Sequence, residues 1–165
     1  MVLTLNTRAS LNKAFEEAVQ TLGLGLTVQY DQYAPLQPGA GPYPSLVVRI
    51  LDDQAQPVTH FGRRTPRSPT GAKRYRLMVE AEVRTQSPTF NQAAHIASLL
   101  RSYFDGRQIP RRTWLLNATT PNPSPADAGF IRFTEESRLD LLQDEQQQNY
   151  KSAFLTWEVE VEIPA

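Results

Sequence analysis

The sequence predicts an α+β fold, with two helices packed on one side of a mostly antiparallel β-sheet, long loops and a C-terminal β-hairpin. Two segments carry apolar residues at helical spacing, and the other apolar segments alternate with polar residues at period two. In chain order the elements are expected as α-β-β-β-α-β-β-β. No internal repeat or linker interrupts them, so residues 1–165 are expected to form a single domain.

The first helix is expected over residues 10–22, because its apolar residues recur at i, i+3, i+4, i+7, i+8 and i+11. Ser10 has a side chain typical of an N-cap, and Gly23 is typical of the residue after a helix. A short strand, residues 24–30, is expected next, since it is rich in β-branched and aromatic side chains. The helical stripe consists of Leu11, Ala14, Phe15, Ala18, Val19 and Leu22.

Residues 45–51 predict a second strand, buried on most of its surface, and residues 52–54 are expected to turn the chain. Residues 74–105 form the stretch around which the chain is organised. Residues 74–84 alternate as a strand with one dry face, and Ser87-Pro88 is a typical opening for a helix ending before Gly106. The dry face holds Tyr75, Leu77, Val79, Ala81 and Val83, and the wet face holds Arg74, Arg76, Met78, Glu80, Glu82 and Arg84.

Further strands are expected within residues 109–117, 130–142 and 151–163, with a wet turn at 144–150 before the last. The last strand alternates strictly, which is typical of a half-buried antiparallel strand. One face holds Phe154, Thr156, Glu158, Glu160 and Glu162, and the other holds Ala153, Leu155, Trp157, Val159, Val161 and Ile163.

Three long loops separate these elements. Two of them, residues 34–44 and 118–128, are rich in proline, and the third, about residues 60–73, is basic and has no apolar period. This basic loop is compatible with binding nucleic acid phosphates, with ordering against an acidic neighbouring subunit, or with simple solvation. It lacks interleaved aromatic residues, which argues against a dedicated single-strand-binding surface. Its cations are Arg63, Arg64, Arg67 and Lys73.

Composition excludes several classes of protein. The chain has no Cys, which excludes disulfide scaffolds, thiol catalysis and Cys-ligated zinc. Its formal net charge of zero gives no bulk attraction to nucleic acid or to anionic lipid. No run of about 18 apolar residues is present, so no membrane association is expected. The N-terminus lacks a signal-peptide pattern, and synthesis in the cytoplasm is expected.

Charge is unevenly distributed along the chain. Residues 60–112 hold eleven Lys and Arg against three acids, whereas residues 135–165 hold eight acids against two bases. This segregation is typical either of solvated faces or of subunits that associate head to tail, the positive face of one copy meeting the negative face of the next. On the second interpretation, Glu158, Glu160 and Glu162 form an acidic partner face.

No arrangement of residues indicates catalysis. His60 and His95 lie far apart in the sequence, and no cluster of metal ligands is visible. The glycine pairs lack the further Gly or Lys of a phosphate-binding loop, and no Gly-x-Ser-x-Gly motif occurs. We therefore expect no enzyme activity, no metal and no cofactor.

The order of the elements carries a resemblance to a known family. An amphipathic helix at 11–22 precedes a strand with an aromatic residue at 28–30, a stretch containing Tyr-Pro at 43–44 and a Val-Val-Arg-Ile strand. A long strand at 75–83 and a helix at 91–104 follow. This layout, over roughly residues 8–106, resembles the tail terminator (tail completion) proteins of long-tailed bacteriophages.

The resemblance implies a virion structural protein without catalytic activity. Such proteins form a ring, typically a hexamer, that caps the finished tail tube and joins it to the head connector or neck, with DNA passing through the channel. The partners implied are further copies of the chain, the tail tube protein, the connector and genomic DNA. Arg63, Arg64, Arg67 and Lys73 would then line the channel or contact the neighbouring ring. The alternatives are another phage neck, tube or baseplate ring or adaptor protein, or a small ligand-binding protein or enzyme.

Overall fold

The computed structural model describes two helices and seven strands. The helices are α1 (Leu5–Leu22) and α2 (Asn91–Phe104). The strands are β1 (Thr27–Tyr30), β2 (Ser45–Pro57), β3 (Lys73–Gln86), β4 (Gln108–Pro110), β5 (Phe130–Phe133), β6 (Arg138–Leu142) and β7 (Tyr150–Ile163). The residues described are 5–31, 42–57, 73–112, 129–143 and 149–163.

These strands form one sheet in the order β1-β2-β3-β7-β5-β4, with β6 also paired to β7. The pair β1–β2 is parallel, and the other described pairs are antiparallel. Both helices pack on the same face of the sheet. The predicted α+β fold, with two helices on one side of a mostly antiparallel sheet, is confirmed.

The pairing of β3 with β7 forms the centre of the sheet. It runs without interruption from Lys73 opposite Ile163 to Gln86 opposite Tyr150. The dry faces predicted for both strands point to the helices, and residues such as Val79, Leu155 and Val159 are fully buried there. Period-two alternation therefore assigned the core side of both strands correctly.

Aromatic rings fill the core between the helices and the sheet. Phe15 of α1, Phe104 of α2, Phe133 of β5 and Trp157 of β7 are all fully buried. The ring centroid of Phe104 lies 4.5 Å from that of Phe15, 4.8 Å from that of Phe133 and 5.6 Å from that of Trp157. Rings at these separations attract each other beyond the burial of their area. The cluster thus joins both helices to the C-terminal strands.

The predicted C-terminal β-hairpin is present, with an irregularity in its first arm. The segments β5 and β6 both run antiparallel to β7, and they are separated by residues 134–137. Because Phe133 lies opposite Val159 and Arg138 opposite Thr156, these four residues stand opposite only two on β7. Such a bulge interrupts the ladder locally and creates a recess in the strand.

The start of α1 differs from the prediction. The helix begins at Leu5, and Ser10 lies inside it, so Ser10 is not the N-cap. Its hydroxyl instead accepts a hydrogen bond of 3.0 Å from the backbone N–H of Arg112. A buried hydroxyl on the apolar side of a helix requires such a partner, and here the chain after β4 provides it.

The start of α2 and the end of β2 also differ. Ser87 does not cap α2, which begins at Asn91. The Oγ of Ser87 instead accepts a hydrogen bond from the backbone N–H of Thr89, in the turn before the helix. The predicted turn at residues 52–54 is wrong, since β2 continues to Pro57. Its register with β3 shifts between Leu51 and Gln56, so the chain bends without leaving the sheet.

Other boundaries agree more closely. Strand β1 begins three residues after the predicted start, and α2 ends at Phe104, as expected from Gly106 and its φ of 72°. The proline-rich loop at 118–128, the basic loop up to residue 72 and most of the loop at 34–44 lie outside the described residues.

Candidate functional site

The outer face of the sheet, which points away from the helices, carries most of the charged residues of the long strands. Side chains on a strand alternate between faces, so this face is built from every second residue of β2, β3 and β7. It contains Val47 and Arg49 of β2, Arg74, Arg76, Met78, Glu80, Glu82 and Arg84 of β3, and Phe154, Thr156, Glu158, Glu160 and Glu162 of β7.

One half of the outer face is a charged ladder between β3 and β7. Nε of Arg74 lies 2.9 Å from Oε2 of Glu162, and its Nη1 lies 3.6 Å from Oε1 of Glu160. Nε of Arg76 lies 3.3 Å from Oε1 of Glu158. The arginine side chains are about half exposed, so each pair stabilises the fold by only about 0–1 kcal/mol. The fold thus brings together charges from the basic and acidic segments of the sequence.

The three glutamates predicted to form an acidic partner face lie side by side along β7. Glu158, Glu160 and Glu162 share one face of β7, and each lies beside an arginine of the same chain. The exposed carboxylates and guanidiniums therefore form a mixed surface. That the three glutamates contact a partner remains a prediction.

The predicted basic site falls mostly outside the described residues. Arg63, Arg64 and Arg67 belong to that part of the chain. Lys73 does not lie in the loop, because it is the first residue of β3 and pairs with Ile163 of β7. The structure therefore places one of the four predicted basic residues at the start of β3, one residue before Arg74 of the charged ladder.

The other half of the outer face is a buried ion cluster. Oε1 of Glu82 lies 2.7 Å from Nη2 of Arg49 and 2.9 Å from Nη2 of Arg84. The hydroxyl of Ser152 donates to Oε2 of Glu82 at 3.1 Å, and Glu80 lies 4.0 Å from Arg49. The side chains of Arg49 and Glu82 are only 6% and 5% exposed. Charges so far removed from water depend on one another, because removal of one leaves the others uncompensated.

The sequence prediction of a wet face on β3 is wrong for this half. Glu82 and Arg84 alternate with core residues as expected, but both are buried. Alternation assigns a side chain to a face and does not tell whether that face is covered. One signal was present: Arg49 interrupts an apolar strand, and a buried arginine requires an anionic partner.

The acidic groove lies on the outer face between β3, β7 and β6 and has a volume of about 910 Å³. Its floor is partly apolar, and it includes the exposed edge residues Leu141 and Leu142. Of the described residues that line it, Arg138 alone is a cation, and Arg76 at its margin pairs with Glu158. The carboxylates that line it are Glu80, Glu136, Asp140 and Glu158.

The basic surface is a smaller depression of about 180 Å³ between α1, the end of α2 and β4. Among its described lining residues, Lys13, Arg107 and Arg112 supply three cations, and Glu17 supplies one carboxylate. The guanidinium of Arg107 lies 3.9 Å from the ring centroid of Tyr103, and its Nε donates to the backbone oxygen of that residue at 2.8 Å. Stacking of this kind holds a guanidinium in one orientation while its remaining donors face solvent.

Two groups near α1, the half-buried Tyr30 and the buried Arg111, have shifted pKa values. Burial raises the pKa of the Tyr30 hydroxyl above its ordinary value, and the hydrogen bond to Glu16 and its negative charge act in the same direction. Burial lowers the pKa of Arg111, whose Nε donates to the hydroxyl of Thr7 at 2.8 Å. Both contacts hold α1 against neighbouring segments, and neither places a reactive group in a cavity described above.

Within the described parts of the chain, no group of three or more His, Cys, Asp or Glu residues could hold a metal ion. His95 is exposed on α2, and His60 lies outside the described residues. None of the described helices is long and apolar enough to cross a membrane.

Comparison with solved structures identifies chains of the same fold. A chain from the virion of a native gene transfer agent particle matches with a TM-score of 0.55 at 15% identity, covering 96% of this chain and 99% of that one. A second solved chain matches with a TM-score of 0.51 at 13% identity, covering 97% of this chain and 96% of the other. At such identities the likeness shows a shared fold. No family model matches this chain, and no curated protein matches its sequence.

Proposed function

We propose that this chain is a virion structural protein that forms a ring at the end of a phage tail tube and joins the tube to the head connector. The observation that carries the proposal is the alignment with a chain of a gene transfer agent virion. It covers 96% of this chain and 99% of the other, so the two share almost their whole length. On this proposal the chain acts by assembly and has no catalytic role.

The order of the helices and strands supports a terminator role in preference to a tube, neck or baseplate role, because it resembles the order in the terminator family. The helices and strands on which that resemblance depends occur in the structure in the expected order, as α1, β1, β2, β3 and α2. The ring is proposed to be a hexamer. Its channel passes DNA, and Arg63, Arg64, Arg67 and Lys73 face the channel or the neighbouring ring.

Open sheet edges support a role in assembly. Among the described strands, β4 pairs only with β5, and β6 pairs only with β7, so each has one edge without a neighbouring strand. Natural proteins usually cover such edges, and exposed large apolar side chains beside them are typical of interaction surfaces. On β6 these side chains are Leu141 and Leu142, which are 45% and 51% exposed.

Imaging of particles tests the position of the chain. A phage that lacks this gene is expected to produce heads and tails that do not join, and a plasmid copy of the gene is expected to restore joined particles. A small affinity tag on the chain should be detected at the head-proximal end of the tail. A tag at the baseplate, or normal joined particles without the gene, would contradict the terminator proposal.

Native mass spectrometry tests the ring. The purified chain, alone or bound to tail tubes, is expected to give a closed oligomer with the mass of six subunits. A different closed number would correct the stoichiometry. A chain that is monomeric and absent from purified particles would remove the proposal altogether.

A further inference from the structure

We infer that the acidic groove of one subunit binds the basic surface of the next copy of this chain, so that subunits join head to tail. This inference rests on the proposed ring function, and it names the contact that would build the ring. It follows from the charge, the apolar content and the relative placement of the two surfaces.

The acidic groove has the composition of a surface that becomes covered. Among the described residues, Leu141 and Leu142 are the large hydrophobic side chains that remain exposed. As neighbours on a strand they point to opposite faces, so the open end of β6 presents apolar surface on both sides. The groove beside them adds the side chains of Met78 and Phe154. Apolar surface at an unpaired strand edge favours association with another protein surface.

The charges around this apolar area determine which kind of surface can bind there. Among the described residues, four carboxylates and one guanidinium line the groove, and with Arg76 at the margin the balance is still negative, so an entering surface should be basic. The basic surface carries three cations and one carboxylate, and it also offers the apolar side chains of Ile109 and Pro110 and the ring of Tyr103. Complementary charge around apolar contacts favours binding between these two surfaces and disfavours contact between two copies of either one.

The two surfaces lie on opposite sides of the subunit. Glu80 and Glu158 line the acidic groove and alternate along their strands with Val79 and Val159, which are buried beneath the helices. The groove therefore opens away from the helices. The basic surface is formed by α1 and the end of α2, on the helical side of the sheet. Contact between different surfaces of successive copies is heterologous, and it closes into a ring where the rotation between copies allows and otherwise continues as a filament.

Charge reversal on each side tests the inference. The acidic-side variant carries Glu136→Lys and Asp140→Lys, and the basic-side variant carries Lys13→Glu and Arg107→Glu. A control variant carries Gln92→Lys and Ser98→Lys, two exposed positions on α2 outside both surfaces. Circular dichroism should show the same folded spectrum for all three variants. Mass is then measured by native mass spectrometry and sedimentation.

Each reversed variant alone is expected to fall to the mass of one subunit, while the control variant keeps the wild-type mass. An equimolar mixture of the two reversed variants is expected to reassemble, because each reversed surface now meets one of opposite charge. If the oligomer forms again on mixing, each variant alone was monomeric because of charge repulsion at the interface. A misfolded subunit could not be rescued by a second variant.

Two results overturn the inference. The first is that either reversed variant keeps the wild-type oligomer, or that their folded mixture stays monomeric. The second is that the wild-type chain stays monomeric at its highest soluble concentration. If both reversed variants still form the ring and enter particles, the contact lies elsewhere and the proposed function stands. Absence of the wild-type chain from particles counts against the proposed function itself.

Discussion

The indole Nε1 of Trp157 donates a hydrogen bond of 2.8 Å to Oδ1 of Asp105 and so links the centre of the sheet to the end of α2. The second carboxylate oxygen of Asp105 accepts from the hydroxyl of Ser137 at 3.3 Å and lies 3.6 Å from Nε of Arg101. Arg101 in turn donates to the backbone oxygen of Ser137 at 2.8 Å. One carboxylate therefore fastens the last turn of α2 into the bulge of the hairpin.

Substitution Asp105→Ala is expected to lower the free energy of unfolding by about 1–3 kcal/mol, because the buried indole N–H loses its acceptor. Asp105→Asn keeps an acceptor oxygen and should cost less. Glu135→Ala is the control, since it removes a carboxylate from an exposed position in the same bulge, outside both proposed contact surfaces. Urea unfolding followed by tryptophan fluorescence gives the three values. Equal losses for Asp105→Ala and Glu135→Ala would disprove the role of the indole hydrogen bond.

Substitution Phe15→Ala is expected to be among the most damaging single changes in α1. The ring is fully buried and lies 4.5 Å, 6.3 Å and 5.9 Å from the ring centroids of Phe104, Phe133 and Trp157. Truncation of a ring in such a site typically costs about 3–5 kcal/mol of stability.

Thermal unfolding provides the measurement for Phe15→Ala, and Phe15→Leu provides the control because it refills most of the volume. The leucine variant should unfold at a temperature between those of the wild type and the alanine variant. A melting temperature for Phe15→Ala equal to that of the wild type would show that the aromatic cluster is not part of the folded core.

Removal of a glutamate is expected to lower the free energy of unfolding much more in the buried ion cluster than in the charged ladder. Glu82→Ala leaves the guanidiniums of Arg49 and Arg84 without their shared carboxylate, and loss of one partner of a buried pair typically costs about 3–5 kcal/mol. Glu162→Ala removes a carboxylate from the exposed ladder, where a pair contributes about 0–1 kcal/mol. Chemical denaturation of both variants at one pH and salt concentration tests this. Similar losses at both positions would mean that the burial of Glu82 has no energetic consequence.

The raised pKa of Tyr30 predicts that the protein loses stability in alkaline solution. The pKa of Tyr30 is raised in the folded state, so folding stabilises the protonated hydroxyl. That contribution is fully present below the ordinary tyrosine pKa of about 10 and is lost as the pH rises from there through the higher pKa of the folded state. The free energy of unfolding should therefore fall less steeply above this pH in Tyr30→Phe than in the wild type. Identical slopes in pH-dependent denaturation would refute the contribution.

The features of the fold that depend on residue spacing within one helix or strand could be predicted from the sequence. The stripe of α1 and the dry faces of β3 and β7 follow from spacing alone, and residues such as Leu11 and Trp157 are buried as predicted. The bend of β2 beyond Leu51 could not be read, because polar residues at 52–54 are also typical of a turn.

The functional surfaces were harder to predict than the core. The ion cluster joins Arg49 of β2, Glu82 of β3 and Ser152 of β7, and the spacing within any one strand carries no information about the other two. Ser10 has a capping side chain, but its bonded partner is Arg112, far along the chain. The acidic groove likewise draws on three strands, so its existence depends on a sheet order that periodicity does not supply.

The position of β7 has a consequence for synthesis. It is the last described strand along the chain, yet it lies between β3 on one side and β5 and β6 on the other. In a nascent polypeptide on the ribosome, the sheet cannot be completed until β7 has emerged, and until then the edge of β3 that pairs with β7 stays unpaired. The contacts that then form are distant in sequence, which is typical of slow folding. Subunits can therefore begin to assemble only after translation has passed Ile163.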